Sequence, residues 1–146
     1  MDKNSTNEEI LSELNTRGYR ITKTRRSLID IFTTLGKPLS VQELLNNLSH
    51  RRLTVNKTTV YRELEFLEGQ EIIREVQLGQ DRKRFELTTG SHHHHIRCIQ
   101  CDKIVDVNIP NELSTAAKHI EQQTQFTVLD HSLEFVGICK MCQRFL

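Results

Sequence analysis

The sequence predicts an α+β protein of two small domains: an N-terminal winged helix-turn-helix, residues 1–88, and a small α/β domain with an antiparallel sheet, residues 89–146. Three observations predict it. Four stretches before residue 70 carry apolar residues at helical spacing. Two alternating stretches then flank Gly79-Gln80-Asp81, a hairpin signal. Beyond Gly90 the composition changes: all four cysteines and six of the seven histidines lie there, whereas fifteen of the twenty Lys and Arg lie before it.

The helices follow in order. Ser5-x-x-Glu8 and Thr6-x-x-Glu9 are capping-box patterns, with Ile10, Leu11 and Leu14 at helical spacing and Gly18 beyond. Thr22 or Thr24 can cap a second helix with a stripe of Leu28, Ile31, Phe32 and Leu35, which Gly36 and Pro38 stop. Ser40-x-x-Glu43 is a further capping box, opening a short helix with Val41, Leu44, Leu45 and Leu48. Asn56 can cap a fourth, with Val60, Leu64 and Leu67 inward and Gly69 at its end. Residues 72–78 and 82–87 read as the two strands of a wing. In the second half, 92–98 and 103–107 are strand-like and joined by a C-x-x-C. Pro110 suits the first position of a helix reaching about Gln123, and 126–129 and 132–138 return as strands.

Composition sets bounds on function. The chain has 146 residues, 36% of them hydrophobic, and a net charge of +1, so overall charge does not mark a nucleic-acid binder. No apolar run approaches the ~20 residues of a membrane-spanning helix. The start, Met1-Asp2-Lys3-Asn4-Ser5, lacks the apolar core of a secretory signal. The expectation is a cytoplasmic protein without a membrane partner, and in that compartment paired cysteines point to metal before disulfides.

Cys98-Ile99-Gln100-Cys101 and Cys139-Lys140-Met141-Cys142 stand 37 residues apart. Each C-x-x-C turn puts two thiolates on one side of a tight knuckle, and two knuckles complete a tetrahedral zinc site. Four thiolates leave no open position, so the zinc is structural, one per subunit. The competing readings, two disulfides or a redox-active C-x-x-C, are weaker: redox motifs come singly, at a βα junction.

Gly90-Ser91-His92-His93-His94-His95 looks like an expression-tag scar, but it is internal, short, and runs straight into the cysteine strand. Side chains alternate along a strand, so one strand can feed two sites. One face offers His93 and His95, with Glu86 upstream and Asp106 on the neighbouring strand. The other offers His92 and His94, with His131 on a later strand and Glu112 at the start of the helix. Mixed nitrogen and oxygen ligands suit Fe2+, Zn2+ or Mn2+ and exchange more readily than four thiolates. The bland alternative is a solvated polar strand start. His50 and His119 have no such company and read as surface residues.

Arg17, Arg20, Lys23, Arg25 and Arg26 fall within ten residues free of acids, His50-Arg51-Arg52 precedes the fourth helix, and Arg82-Lys83-Arg84 lies on the hairpin. The fourth helix opens Asn56-Lys57-Thr58-Thr59-Val60-Tyr61-Arg62. Thr methyls and a Tyr ring suit thymine methyls in the major groove, while Lys57 and Arg62 suit phosphate or guanine. Each charge run alone is more often a solvated helix face. Together on one winged helix they predict binding of double-stranded DNA, with Arg20, Arg25, Lys57, Thr58, Thr59, Tyr61 and Arg62 as the contacts.

Three stretches also resemble a known family. Gly18-Tyr19-Arg20-Ile21-Thr22-Lys23-Thr24-Arg25, Thr59-Val60-Tyr61-Arg62, and Phe85-Glu86-Leu87 leading through His93 and His95 to Cys98-x-x-Cys101 are similar to motifs of the Fur family of bacterial metal-responsive repressors. The resemblance runs along essentially the whole chain. It implies a homodimer, with residues 89–146 as the metal-binding dimerisation domain, that represses from an AT-rich inverted-repeat operator. It implies Arg20 in the minor groove, structural zinc on the four cysteines, and a regulatory divalent metal on Glu86, His93, His95 and Asp106. Lys37-Pro38 stands where many members place a further regulatory histidine, the oxidation target of the peroxide-sensing branch. His94 stands where iron sensors often carry Asp, and the extra cysteine that zinc sensors often add near Thr88 is absent.

Three function classes compete. A metal-responsive DNA-binding repressor accounts for both halves of the chain. A regulator whose C-x-x-C thiolates lose zinc on oxidation is the alternative. A zinc hydrolase finds no support, since the closed thiolate site holds no catalytic water and no H-E-x-x-H occurs. The expectation is therefore a protein that is not an enzyme.

Overall fold

A computed structural model of the chain describes residues 3–79, 83–88, 93–109 and 112–145, with side chains from residue 7 and without that of Glu112. The chain divides into two compact units, Met1–Thr89 and Gly90–Leu146. In the first, helix α1 (Lys3–Thr16) is followed by α2 (Lys23–Leu35), strand β1 (Leu39–Ser40), α3 (Val41–His50), α4 (Lys57–Gly69) and the pair β2 (Ile73–Gln77) and β3 (Lys83–Leu87). The second holds β4 (His94–Cys98), β5 (Ile104–Val107), α5 (Glu112–Thr124), β6 (Glu134–Gly137) and a closing 3-10 turn, Cys142–Phe145.

The caps explain most boundaries. The Thr22 hydroxyl accepts from the Arg25 N–H at the start of α2, and Gly36 ends that helix in a left-handed conformation (φ 55°) that side chains resist. Ser40 and Glu43 close a reciprocal capping box on α3, and Asn56 caps α4 by accepting from the Thr59 N–H at 2.8 Å. At α1 the expected caps fail. The helix begins at Lys3, which puts Ser5 and Thr6 inside it. Its first turns are tied down instead through Asn7, buried and donating to Asp30 on α2 at 2.9 Å.

A three-stranded antiparallel sheet, order β1-β3-β2, lies beside these helices, with Leu39 opposite Phe85 and Glu75 opposite Phe85 on its other side. The two-residue β1 was not expected from the sequence; it is too short to show an alternation. Leu14, Leu28, Ile31, Phe32, Leu44, Leu48, Leu64 and Leu67 are almost wholly enclosed, so the helical stripes read from the sequence meet in one core, except that Leu35, in the last turn of α2 before Gly36, is 39% exposed. Burying each such side chain is worth about 1.5–3 kcal/mol.

The second unit is built differently. Its sheet has the order β5-β4-β6, with β4 central. The antiparallel pairing expected holds for β4 with β5, but β6 runs parallel to β4, so the sheet is mixed. A parallel neighbour needs a crossover, and the segment containing α5 supplies it. The strand expected at 126–129 does not form. Gln125 turns left-handed (φ 61°) behind α5, the Val128 N–H donates to the Glu121 side chain, and Phe126 and Leu129 stand 74% and 92% exposed. Among the described residues of this unit the only buried members are Cys98, His94 and His95. A unit so poor in enclosed aliphatic groups needs another source of stability.

Candidate metal centres and nucleic-acid surface

Cys98 ends β4, and the chain turns at once through Cys101 to the left-handed Asp102 (φ 56°) and back into β5. Two bonds fix that turn against both neighbours: the Cys98 N–H donates to the Lys103 carbonyl and the Ile99 N–H to the Gly137 carbonyl, each at 2.9 Å. Cys139 follows β6, and Cys142 opens the 3-10 turn. Since β6 runs parallel to β4, both knuckles come to the same end of the sheet.

All four cysteines are free, and their sulfurs lie within 4.8 Å of one another. The Cys101 and Cys139 sulfurs are 3.7 Å apart. Zn–S bonds of about 2.3 Å put tetrahedral sulfurs about 3.8 Å apart, so the donor set fits zinc. The electrostatics agree. The Cys139 N–H donates to the Cys98 sulfur at 3.3 Å, and with the N–H groups of Cys101 and Gln100 it lowers the Cys98 thiol to about 6. The Cys142 thiol is pushed up to about 12, first by hydrogen bonding with Cys139 and then by burial. Four crowded thiols cannot all ionise by themselves; a divalent cation removes that conflict.

The histidine strand feeds both faces of the sheet, as its alternation predicts. On one, His95 lies opposite Asp106 in register, its Nε2 3.5 Å from Oδ1, and the His93 ring sits 4.8 Å from that of His95. A separation of 3.5 Å is long for a hydrogen bond but matches the spacing of two donors bound at about 2.0–2.2 Å to one tetrahedral ion. On the other face, the His94 ring lies 5.4 Å from that of His131. The two share a cleft of about 400 Å³ with Ser114 of α5 and Asp130. His92 and the side chain of Glu112 lie outside the described residues. Glu86 is buried on β3 of the first unit, where Arg74 makes contacts of 2.8 and 2.7 Å, both to Oε1. His50 and His119 are exposed.

On the helical unit, Arg20, Lys57, Thr58, Tyr61 and Arg62 are exposed and Thr59 half-buried. Lys57 reaches over the Tyr61 ring at 5.8 Å. These two residues line an open cleft of about 610 Å³ with Ser40, the cap of α3, Gln42 of α3, and Gln77 and Lys83 of the wing. Gln42 and Gln77 carry no charge and gave no signal in the sequence, and Ser40 signalled only a helix cap. Three basic residues pair with acids of the same unit. Arg84 is buried, its Nη1 donating to Glu43 at 2.6 Å and to the Pro38 carbonyl at 3.3 Å. Arg51 pairs with Asp30. Arg25, expected at the DNA, is turned inward, 12% exposed and paired with Glu63 on α4 at 2.9 Å. An acid-free run of basic residues says nothing of acids on another helix, and Glu63 is the residue the sequence left unnoticed. Arg82 lies outside the described residues.

These features define a class: a winged-helix protein carrying a thiolate metal module. The sequence pattern of the ferric uptake regulator family matches residues 16–136. Across 92% of this chain and 93% of its relative, the sequence is 35% identical to a ferric uptake regulation protein of Synechococcus elongatus. It is 33% identical to the peroxide-responsive repressor PerR of Staphylococcus aureus, over 93% of this chain and 90% of that one. The structure matches that of the ferric uptake regulator of Francisella tularensis with iron, with a TM-score of 0.77 at 28% identity, covering 86% of this chain and 96% of the other. The chain belongs to the ferric uptake regulator family, whose members are metal-responsive transcriptional regulators and not enzymes.

Proposed function

We propose that this protein is a cytoplasmic repressor. As a homodimer loaded with a regulatory divalent metal it binds an AT-rich inverted-repeat operator. Residues 1–88 read the DNA, and residues 89–146 bind metal and dimerise. Zinc occupies Cys98, Cys101, Cys139 and Cys142, one per subunit. The regulatory metal, Fe2+, Zn2+ or Mn2+, takes Glu86, His93, His95 and Asp106. His94 and His131, with His92 and Glu112, form an additional site.

One observation carries the reading. The single strand β4 bears His95, set against Asp106, and ends in Cys98, so the exchangeable ligands and the thiolate staple are parts of one rigid element. The iron in the Francisella tularensis structure supports the choice of a divalent regulator. Thiolates hold zinc without exchange, while mixed imidazole and carboxylate ligands respond to supply. If the DNA-competent arrangement of the dimer is rare without regulatory metal, operator affinity falls by that fraction, and metal and operator must favour each other reciprocally.

The test is a double substitution, His93→Ala with His95→Ala. Metal-stimulated operator binding should disappear, while the dimer and one zinc per chain remain after EDTA dialysis under reducing conditions. An undiminished metal response would move regulation to the His94 and His131 site. A second reading is loss of zinc on thiol oxidation; the peroxide-responsive relative bears on a response to peroxide but not on the thiols as its seat. Zinc release and DNA dissociation at low peroxide, with no effect of added metal, would establish it instead.

A further inference from the structure

We propose that Arg25 is a positioning residue for DNA recognition: it locks the loop carrying Arg20 to the recognition helix α4 and does not itself touch DNA. The inference rests on the DNA-binding reading above.

The Arg25 guanidinium is committed on every side. Its Nε donates to Glu63 Oε2 at 2.9 Å and its Nη2 to Glu63 Oε1 at 3.5 Å, a two-pronged pair with a carboxylate on α4. Its Nη1 donates to the Arg20 carbonyl at 2.7 Å. One face lies on the Phe66 ring, 3.6 Å from its centre. Phe66 in turn meets the edge of Tyr19, with ring centres 5.0 Å apart at 78°. Two independent links therefore run from α4 to the segment Tyr19–Arg20, one through Arg25 to the Arg20 carbonyl and one through Phe66 to the Tyr19 ring. The Arg25 and Glu63 side chains are 12% and 14% exposed.

The placement along α4 gives these links their purpose. Glu63 directly follows Tyr61 and Arg62, which face outward, and Phe66 lies one turn on. Glu63 and Phe66 thus tie the Arg20 loop to the stretch of α4 that bears the exposed pair. A side chain that probes one groove while a helix reads the adjacent one contributes only if its spacing from that helix is set before binding. A flexible loop at Arg20 would lose rotational freedom on binding; the Arg25 bond to its carbonyl removes that loss in advance. For Arg25 to reach a phosphate it would have to leave Glu63 as a buried carboxylate without its cation.

The decisive variant is Glu63→Gln, which keeps the shape of the side chain while removing a negative charge. Operator affinity of the metal-loaded full chain would be measured with the duplex that the wild type selects from a randomised pool, correcting for active fraction by stoichiometric titration. Removing an acid near DNA strengthens binding by simple electrostatics. Positioning predicts the reverse: operator binding at least tenfold weaker, with binding to a non-operator duplex undiminished. In an Arg20→Ala background, Glu63→Gln and Arg25→Gln should each cost at most a further twofold, because the contact they position is already gone. Operator binding by Glu63→Gln equal to or tighter than wild type would overturn the proposal, as would full independent losses in the Arg20→Ala background. Should Arg25→Gln not fold, Glu63→Gln decides alone. A wild type that selects no duplex would overturn the DNA-binding reading itself, and this inference with it.

Discussion

Stripping the proposed zinc from the four cysteines under reducing conditions should unfold the sheet unit and leave the helical unit standing. The magnitude follows from how differently the two are built. Leu14, Leu28, Phe32, Leu44, Leu64 and their neighbours give the first unit a continuous aliphatic core, whereas Cys98 is the only buried apolar side chain among the described residues of the second. A structural zinc supplies about 10–16 kcal/mol of apparent binding energy, against a net stability of about 5–15 kcal/mol for a whole domain. Without it, the second unit has little enclosed apolar surface within one chain to offset its conformational entropy. Hydrogen exchange followed by peptide mass spectrometry reads both units at once. Peptides covering 94–107 and 134–145 should exchange at least on the order of a thousandfold faster, about 4 kcal/mol of lost protection, with the Cys98 and Ile99 amides at the knuckle among them. Peptides covering 28–48 and 60–67 should change little. Unaltered protection across 94–107, in protein shown by elemental analysis to be free of zinc, would refute the argument that metal substitutes for a core.

Tyr61→Ala should weaken specific operator binding by about 1–3 kcal/mol while metal content stays at the wild-type value; unchanged affinity by fluorescence anisotropy would remove the exposed face of α4 from recognition. Glu43→Gln should lower stability to urea by about 1 kcal/mol at pH 7: a glutamine there can still accept from the Ser40 N–H and keep the capping box, but it lacks the charge that pairs with the buried Arg84. Burial opposes ionisation of Glu43, but hydrogen bonds from Ser40 and the nearby Arg84 and Lys37 hold its carboxyl below the usual 4.5. That depressed group stabilises the fold above the unfolded-state value and ceases to as pH falls through the folded one. The gap between wild type and variant should therefore close on acidification, and a gap constant from pH 7 to pH 3 would contradict the assignment.

Much of the fold was legible because the signals were local. The caps at Thr22, Ser40 and Asn56 and the stripes they introduce need only a few adjacent residues, and the structure places the caps as expected and the stripes inward apart from the exposed Leu35. The paired C-x-x-C and the alternation of the histidine strand are equally local, and the structure brings the four sulfurs together and sets His93 and His95 on one face, His94 and His131 on the other. What failed depends on partners distant in sequence. The segment 126–129 has strand-like residues but pairs with no strand among the described residues. The parallel pairing of β6 depends on where α5 returns the chain. Arg25 and Arg84 read as solvent-facing cations because Glu63 and Glu43, their partners, stand about forty residues away.

The central claim is that metal on the histidine and carboxylate ligands governs DNA binding while zinc on the cysteines does not. The most direct test is to titrate Fe2+, Mn2+ and Zn2+ separately, without oxygen, into protein retaining one zinc per chain, and to follow anisotropy of the selected duplex. Saturating binding should appear at about one added metal per chain and reverse with EDTA while the cysteine zinc stays in place. Operator binding of equal strength before any metal is added, or none after all three, would contradict the account.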